Sequence, residues 1–291
     1  MSEPTLTTLT EMFLISRQAA GSAAQTYIFY QQQLGRFVRS FPESATILDL
    51  TPETIESYLA QRRQEVSPRS VHAAWRAIRA LCNWLDTRRE RYPQWTNPVS
   101  RITAPQLPHT KLPPVERDDL AAMLRACSGH TFYADRDRAV LLVLASSGLR
   151  ASEFLALNQE DVDLHTGIVR VRCGKGGKSR VTIISPQARL AIADYLGHLV
   201  HRDPSQPLWW GRKGPLSHNG LGAILTRRAA EAGVPAPSPH AFRRRWASDL
   251  VPKLGPWVVQ ALGGWAGLEI VQQYVSLTES DLLAAVDKIY R

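Results

Sequence analysis

His240 and Arg243 are three residues apart, and their side chains have the chemistry to bind a phosphate. Ser238 and Pro239 just before them are typical of a helix start, where backbone N–H groups lack partners within the helix. The helix dipole makes that end favourable for an anion. Because residues three apart project from one side of a helix, an imidazole and a guanidinium can hold one phosphate between them. A lone histidine near a helix start is more often a cap or a core residue, and the pattern by itself leaves both interpretations open.

A second polar cluster surrounds Arg150. Gly148 suits the left-handed residue that ends one helix, and Arg150 then opens the next helix. Arg150 and Glu153 are three residues apart and therefore share a face of that helix. Such a pair is more often a surface ion pair than part of a site, so the pattern alone does not decide between the two.

Lys175 and Tyr274 have reactive side chains in settings that are ambiguous when each is taken alone. Lys175 lies in a turn with three glycines, residues 174–178, from which a long cationic side chain can reach into a groove. Glycine-rich basic turns are common, and the sequence here lacks a strand-to-helix phosphate loop. Trp265 follows two glycines and precedes Tyr274 by nine residues. Aromatic residues in such places are ordinarily core residues.

Up to about residue 95 the chain is predicted to consist of helices only. Apolar residues recur at spacings of three and four in segments 13–20, 27–41, 55–66 and 71–85. Ser67 and Pro68 give the fourth helix a clear start. Arg69, Arg76 and Arg79 fall nearly on one face of that helix, and we expect this face to contact phosphates. The alternative is a solvated charged face.

A proline-rich segment, residues 97–114, separates these helices from the rest of the chain. It holds five prolines and shows neither a helical nor an alternating pattern, which predicts an extended linker. The domains are therefore expected at residues 1–105 and 106–291.

The second domain is predicted to be mainly α-helical, with a small antiparallel β-sheet. Apolar residues alternate at 168–172 and 180–183, which indicates a β-hairpin. Helical periodicity marks the remaining elements, at 117–127, 135–146, 187–201, 220–232, 239–251, 256–262, 269–275 and 282–289.

Composition narrows the class of partner. Lysine and arginine outnumber aspartate and glutamate by 35 to 26, a net charge of +9, which favours nucleic acid first and an anionic membrane surface second. The longest apolar stretch, residues 139–145, is too short to cross a bilayer, and the first residues lack a basic-then-apolar signal, so we expect a cytoplasmic protein. Cys82, Cys127 and Cys173 lack the spacing of a zinc site or a disulfide framework and are expected to be small buried residues.

Taken in order, the polar clusters resemble the tyrosine recombinase (phage integrase) family. The family pattern is an Arg after a glycine turn, a hairpin Lys, a His-x-x-Arg, a His or Trp, and a Tyr. All six positions are filled here, by Arg150, Lys175, His240, Arg243, Trp265 and Tyr274. The resemblance spans both predicted domains and implies a helical core-binding domain that contacts DNA, followed by a catalytic domain. Because the chain starts directly with the helical domain, it is most similar to the simple Xer-like and Cre-like members.

The resemblance implies a role for each residue on the phosphate side of the site. Arg150 and Arg243 would clamp the scissile phosphate, Glu153 would support Arg150, and His240 matches the first residue of the His-x-x-Arg. Two guanidiniums can stabilise the negative charge of a phosphodiester transition state without a metal.

Tyr274 would be the nucleophile, and Lys175 would be the general acid for the leaving 5′ oxygen. Trp265 stands where most members have a second His, and the two glycines before it depart from the commoner Leu-Gly. Arg244 stands where a His is frequent. None of these departures removes a charge that the mechanism requires. Because a phosphotyrosine ester keeps the bond energy, we expect no cofactor, neither ATP nor a divalent cation.

The tail beyond Tyr274 is predicted to end in an amphipathic helix, with Leu282, Val286 and Ile289 on one side. This helix either packs on its own domain or, as the resemblance implies, docks on the next protomer of a tetramer assembled on two double-stranded DNA sites. The expected function is site-specific recombination through a 3′-phosphotyrosyl intermediate, with no membrane partner. Two alternatives stay open, a catalytically silent DNA-binding regulator and a topoisomerase-like enzyme of type IB that relaxes supercoils.

Overall fold

The computed structural model describes residues 3–107, 113–172, 179–199 and 203–272 of the chain. The chain forms two compact units, Met1–Thr110 and Lys111–Arg291, and each has a hydrophobic core of its own. Several predictions concern residues outside the described ones. These are Lys175 with its glycine turn, Cys173, Tyr274, and the predicted helix at 282–289.

The described part of the first unit contains four α-helices: α1 (Leu6–Ala19), α2 (Ala24–Val38), α3 (Pro52–Glu65) and α4 (Pro68–Asp86). Helix α4 starts where Ser67 and Pro68 predicted it, and the Ser67 hydroxyl accepts a hydrogen bond from the Ser70 N–H at 3.3 Å. Helix α1 starts earlier than predicted. Thr5 caps it by accepting a hydrogen bond from the Thr8 N–H at 3.3 Å. The helix therefore begins in a stretch with too few apolar residues to show a helical pattern in the sequence.

One face of α4 packs into the core of the first unit and the other faces solvent. Trp75, Leu81 and Trp84 are buried, as their spacing on the helix predicts. Arg69, Arg76 and Arg79 lie on exposed positions of the same helix. The charged and apolar residues of α4 are thus sorted to opposite sides.

The described part of the second unit is mainly helical and carries two small antiparallel sheets, which confirms the predicted fold class. Its elements are α5 (Arg117–Ala126), α6 (Phe132–Ser147), α7 (Ala151–Leu155), β1 (Ile168–Val171), β2 (Arg180–Ile183), α8 (Pro186–Gly197), β3 (Trp210–Gly211), β4 (Gly214–Pro215), α9 (His218–Ala232), α10 (Pro239–Gly263) and α11 (Leu268–Gln272). Strands β1 and β2 form the predicted hairpin, with Val171 opposite Arg180. The β3–β4 hairpin was not predicted, because two-residue strands are too short to show an alternating pattern.

Helix α6 lies at the centre of the second core and packs against α8 and α10. Most of its middle is buried, at Ala139, Val140, Leu141, Val143 and Leu144. Helix α10 is interrupted at Gly255, whose φ of 77° is not helical, so the two helices predicted for this stretch are confirmed. Within the described residues, no helix combines the length and the apolar character that crossing a membrane requires.

Candidate active site

The turn between α6 and α7 fixes the backbone of Arg150. Gly148 ends α6 with a φ of 62°, a left-handed conformation that glycine adopts without strain. A Cβ atom at this position would lie 2.4 Å from the ring of Trp246, so glycine is also needed for α10 to pack this close. Arg150 then precedes α7, and Glu153 Oε2 accepts a hydrogen bond from the Arg150 backbone N–H at 2.8 Å. The side chain of Arg150 therefore extends from a well-defined turn.

Glu153 is buried and binds two arginine side chains. Arg150 Nη1 donates to Glu153 Oε1 at 2.7 Å. Arg180 makes a bidentate pair with the same carboxylate, from Nη1 to Oε1 at 2.8 Å and from Nη2 to Oε2 at 2.7 Å. Only 3% of the Glu153 side chain is exposed, so the interpretation of Arg150 and Glu153 as a surface ion pair is wrong. Burial works to raise the pKa of Glu153, but hydrogen bonds from Arg180 and Arg150 outweigh it and lower that pKa to about 2.

We expect Glu153→Gln to remove part of the acid dependence of stability. Because the folded-state pKa of Glu153 is depressed, its ionised form stabilises the folded chain above about pH 4.5, and this stabilisation is lost as the pH falls towards about 2. The shift corresponds to roughly 3 kcal/mol in the free energy of unfolding. Urea denaturation between about pH 5 and pH 3 should show a steeper loss of stability for the wild type than for the variant. Parallel curves would contradict this, and Glu56→Gln, at an exposed position, is the matched control.

Arg243 is almost completely buried, with 2% of its surface exposed. Its Nη2 donates to Gly263 O at 2.6 Å, and its Nη1 donates to Gly148 O. The Trp265 ring stacks on the guanidinium, with Arg243 Cζ 4.0 Å from the ring centroid. Trp265 itself is buried and packs against Trp246 at 6.0 Å between ring centroids. The Arg243 side chain is therefore held by two backbone carbonyls and one aromatic face.

The carboxyl end of α10 gathers three arginines. The carbonyls of residues 262–264, here called the cap carbonyls, accept hydrogen bonds in order from Arg180 Nε at 3.0 Å, Arg243 Nη2 at 2.6 Å and Arg150 Nη2 at 2.8 Å. The last carbonyls of a helix lack partners within the helix and carry the negative end of its dipole, so they bind cations well. Three consecutive carbonyls thus bring three guanidiniums to one place.

The glycine pair at this helix end is needed for that packing. Gly264 has a φ of 64°, and a Cβ atom on it would lie 2.8 Å from Arg180 Cδ. A Cβ atom on Gly263 would lie 2.1 Å from the Trp265 ring. Gly263, where leucine is commoner, therefore makes room for Trp265, where histidine is commoner.

His240 lies in the first turn of α10, on an exposed position. The Ser238 hydroxyl caps this turn by accepting a hydrogen bond from the Ala241 N–H at 3.3 Å. Partial burial of the ring lowers the pKa of His240, and the charges of Arg244, Arg243 and Arg150 lower it further. This lowering of the pKa favours the neutral imidazole, which can accept a proton or a hydrogen bond.

Arg180 belongs to this cluster and was missed in the sequence. Along β2 the polar residues point inwards, and Thr182 is fully buried with its hydroxyl donating to Ser147 O at 2.7 Å. Val181 and Ile183 are 48% and 53% exposed. The signal in the sequence was that polar and apolar residues alternate along β2, with the polar residues on the buried face. Buried polar residues need hydrogen-bond partners, so this pattern could have pointed to Arg180.

The described residues thus place Arg150, Glu153, Arg243, Trp265 and His240 around the start and the carboxyl end of α10. Lys175 and Tyr274 lie outside the described residues, and their positions in the site stay predictions. In the part of the chain that the structure describes, no group of three or more His, Cys, Asp or Glu side chains is placed to hold a metal ion.

The predicted phosphate-contacting arginines are on the first unit. Arg69 lines a cavity of about 520 Å³ together with Arg36 and Arg62. Arg76 lies over the Phe29 ring at 5.7 Å, and Arg79 is exposed. Arginines from α2, α3 and α4 therefore contribute to one positively charged groove, which suits a polyanion.

The chain is similar to known proteins over most of its length. A model of the phage integrase family matches residues 114–281 of the chain. The chain is 28% identical over 282 residues to tyrosine recombinase XerC of Chromobacterium violaceum, which covers 94% of this chain and 92% of that protein. It is 30% identical over 269 residues to tyrosine recombinase XerC of Methylobacterium nodulans, covering 88% and 83% of the two chains.

Solved structures share the fold at low sequence identity. A lambda integrase dimer bound to a COC′ core site matches with a TM-score of 0.75 at 17% identity, covering 94% of this chain and 77% of that one. The Tn1549 transposon integrase in complex with transposon right end DNA matches with a TM-score of 0.74 at 14% identity, covering 97% and 99%. These matches extend over both units of the chain.

Proposed function

This chain belongs to the phage integrase family of tyrosine recombinases, and from that premise we propose how it breaks and rejoins DNA strands. Its relatives are named tyrosine recombinases, and the function that this membership supports is site-specific DNA recombination. The observation that carries the assignment of the site is the convergence of Arg150 and Arg243 on the cap carbonyls. In this proposal the two guanidiniums bind the scissile phosphate.

Attack on a phosphodiester builds negative charge on its non-bridging oxygens, so the reaction needs cations that are already in place. The Arg150 side chain is fixed by Glu153 and a cap carbonyl, and Arg243 is fixed by two carbonyls and the Trp265 ring. Donors held in this way stabilise the transition state without rearranging during the reaction. His240 lies one turn before Arg243, and its lowered pKa suits it to accept a hydrogen bond at the phosphate.

The covalent step is assigned to Tyr274. Its phenolate oxygen attacks phosphorus, the bond from phosphorus to the 5′ oxygen breaks, and Lys175 protonates the departing 5′ oxygen. The product is a 3′-phosphotyrosyl ester and a free 5′ hydroxyl. Attack by the 5′ hydroxyl of another strand reverses these steps and releases Tyr274. Each step exchanges one phosphate ester for another, so this proposal requires neither ATP hydrolysis nor a divalent cation.

DNA is the proposed partner of both units. The groove lined by Arg36, Arg62 and Arg69 offers cations for phosphate contacts, to which Arg76 and Arg79 on α4 add further charge. Exchange between two duplexes requires four strand cleavages, which supports a tetramer with one Tyr274 for each strand. With DNA as its substrate, we place the activity in the cytoplasm.

A covalent trapping experiment tests this function. Selection from a random duplex library identifies a DNA that the chain binds, here called the selected site. Duplexes of this site with a nick at successive positions release a short fragment after cleavage and trap the enzyme on the DNA. We expect a denaturation-resistant adduct in EDTA without ATP, and mass spectrometry should locate the phosphotyrosine in the peptide that contains Tyr274. Absence of an adduct on every nicked duplex, or an adduct on another residue, would overturn the proposal.

A further inference from the structure

Arg180 is a buried cation at the site that the proposed reaction does not use directly. Only 10% of its side chain is exposed. Both terminal nitrogens are bound to the Glu153 carboxylate, and its Nε donates to Leu262 O at 3.0 Å. Each nitrogen of the Arg180 guanidinium already donates to one of these two partners, so its main interactions are with Glu153 and the helix end.

The charges of Glu153, Arg150 and Arg180 indicate what Arg180 does at the site. Glu153 lies between Arg150 and Arg180 and accepts hydrogen bonds from both. Alone with Glu153, Arg150 would form a neutral pair and would attract a phosphate weakly. The second guanidinium leaves this trio with a net charge of +1.

We propose that Arg180 offsets the negative charge of Glu153, so that Arg150 keeps its positive charge for the scissile phosphate. Arg180 is then a positioning residue that acts through Glu153 on Arg150. This inference rests on the proposed function, because it assumes that a phosphate binds at Arg150.

The packing around Arg180 supports a fixed electrostatic role. A Cβ atom on Gly264 would approach Arg180 Cδ to 2.8 Å, so the side chain lies tightly against the helix end. It shares the cap carbonyls with Arg150 and Arg243, the two proposed phosphate ligands. A cation that only anchored the β-hairpin would not have to share its carboxylate with a phosphate ligand.

The charge of the whole cluster can be restored in a double variant. Arg150, Arg180, Arg243 and Glu153 together carry +2, since this cluster contains three guanidiniums and one carboxylate. Arg180→Gln lowers this to +1, and adding Glu153→Gln returns it to +2. A structural role predicts that two substitutions damage the site more than one. The proposed electrostatic role predicts recovery.

The test measures single-turnover adduct formation on the nicked selected site at saturating enzyme, where the rate constant is independent of the fraction of folded protein. We expect Arg180→Gln to lower this rate constant about 10- to 100-fold, as for the loss of a hydrogen-bonded charged partner. Glu153→Gln with Arg180→Gln should be at least about fivefold faster than Arg180→Gln alone. Arg180→Lys, which keeps the charge, should lie within about tenfold of the wild type. The exposed Arg170→Gln on β1 is the matched control for loss of one charge from the same hairpin.

The outcomes separate this inference from the proposed function. If Arg180→Gln matches the wild type, or if the double variant is no faster than Arg180→Gln, the inference is overturned. If Arg180→Gln does not fold, the comparison uses Arg180→Lys and the double variant, and a rate constant more than about a hundredfold below the wild type in both overturns it. If the wild type itself forms no adduct, the proposed function fails instead.

Discussion

Tyr274→Phe should abolish the covalent protein–DNA adduct and strand exchange while leaving binding to the selected site intact. The phenyl ring keeps the size and the apolar character of the side chain but has no oxygen to attack phosphorus. We therefore expect no adduct above background on the nicked duplex in a denaturing gel. The dissociation constant for the intact selected site should change by less than about threefold, because one hydroxyl contributes little to binding that is dominated by phosphate contacts.

The matched control for this prediction is Tyr290→Phe, since Tyr290 is the other tyrosine of the carboxyl-terminal tail. It removes a hydroxyl from the same stretch of sequence and should form the adduct at the wild-type rate. An adduct with Tyr274→Phe would reassign the nucleophile. Loss of the adduct in both variants would point to a structural requirement for the tail rather than to a chemical role of Tyr274.

Features that depend on neighbouring residues could be predicted from the sequence. Helix α4 starts at Pro68 because Ser67 and Pro68 satisfy the needs of a helix start, and these are local. Strands β1 and β2 follow from a change of period, which is also local. Gly148 was expected to be left-handed and has a φ of 62°. The fold class follows from such signals.

Features that depend on distant contacts could not be predicted in this way. Glu153 is bound by Arg180, which lies 27 residues further along the chain, and the spacing of Arg150 and Glu153 alone allowed a surface ion pair. The cap carbonyls are backbone groups at a helix end, so apart from the glycines no residue type in the sequence indicates them. Only the contacts of β2 and of the turn before α7 with the end of α10 reveal that three arginines meet there.

Trp265 illustrates why single residues gave ambiguous predictions. As an aromatic residue after a helix end it was expected in the core, and it is buried and packs on Trp246. It also lies on the guanidinium of Arg243. The core and site interpretations are therefore compatible, because the site is built on one edge of a hydrophobic cluster that includes Trp246, Val251 and Val259. Burial of this kind excludes water and strengthens the field of the arginines.

Arg243→Lys should slow adduct formation on the order of 100- to 1000-fold, even though it keeps the positive charge. The guanidinium reaches Gly148 O and Gly263 O at once, and its Cζ lies over the Trp265 ring, 4.0 Å from the ring centroid. A lysine ammonium has no planar fork, so it cannot satisfy both carbonyls and still present a donor to a phosphate. The measurement is the single-turnover rate constant for adduct formation on the nicked selected site, together with the thermal unfolding midpoint.

Arg245→Lys separates this effect from a general loss of arginine packing. Arg245 is two residues further along α10, and it donates to Val115 O at 2.7 Å and to Glu116 at 2.8 Å, so it loses comparable hydrogen bonds away from the proposed phosphate ligands. We expect Arg245→Lys to lower the unfolding midpoint while its rate constant stays within about tenfold of the wild type. If the two variants form the adduct at similar rates, Arg243 stabilises the fold without binding the phosphate. If only Arg243→Lys is slow, the bidentate geometry of Arg243 is what the reaction requires, because both variants keep the charge.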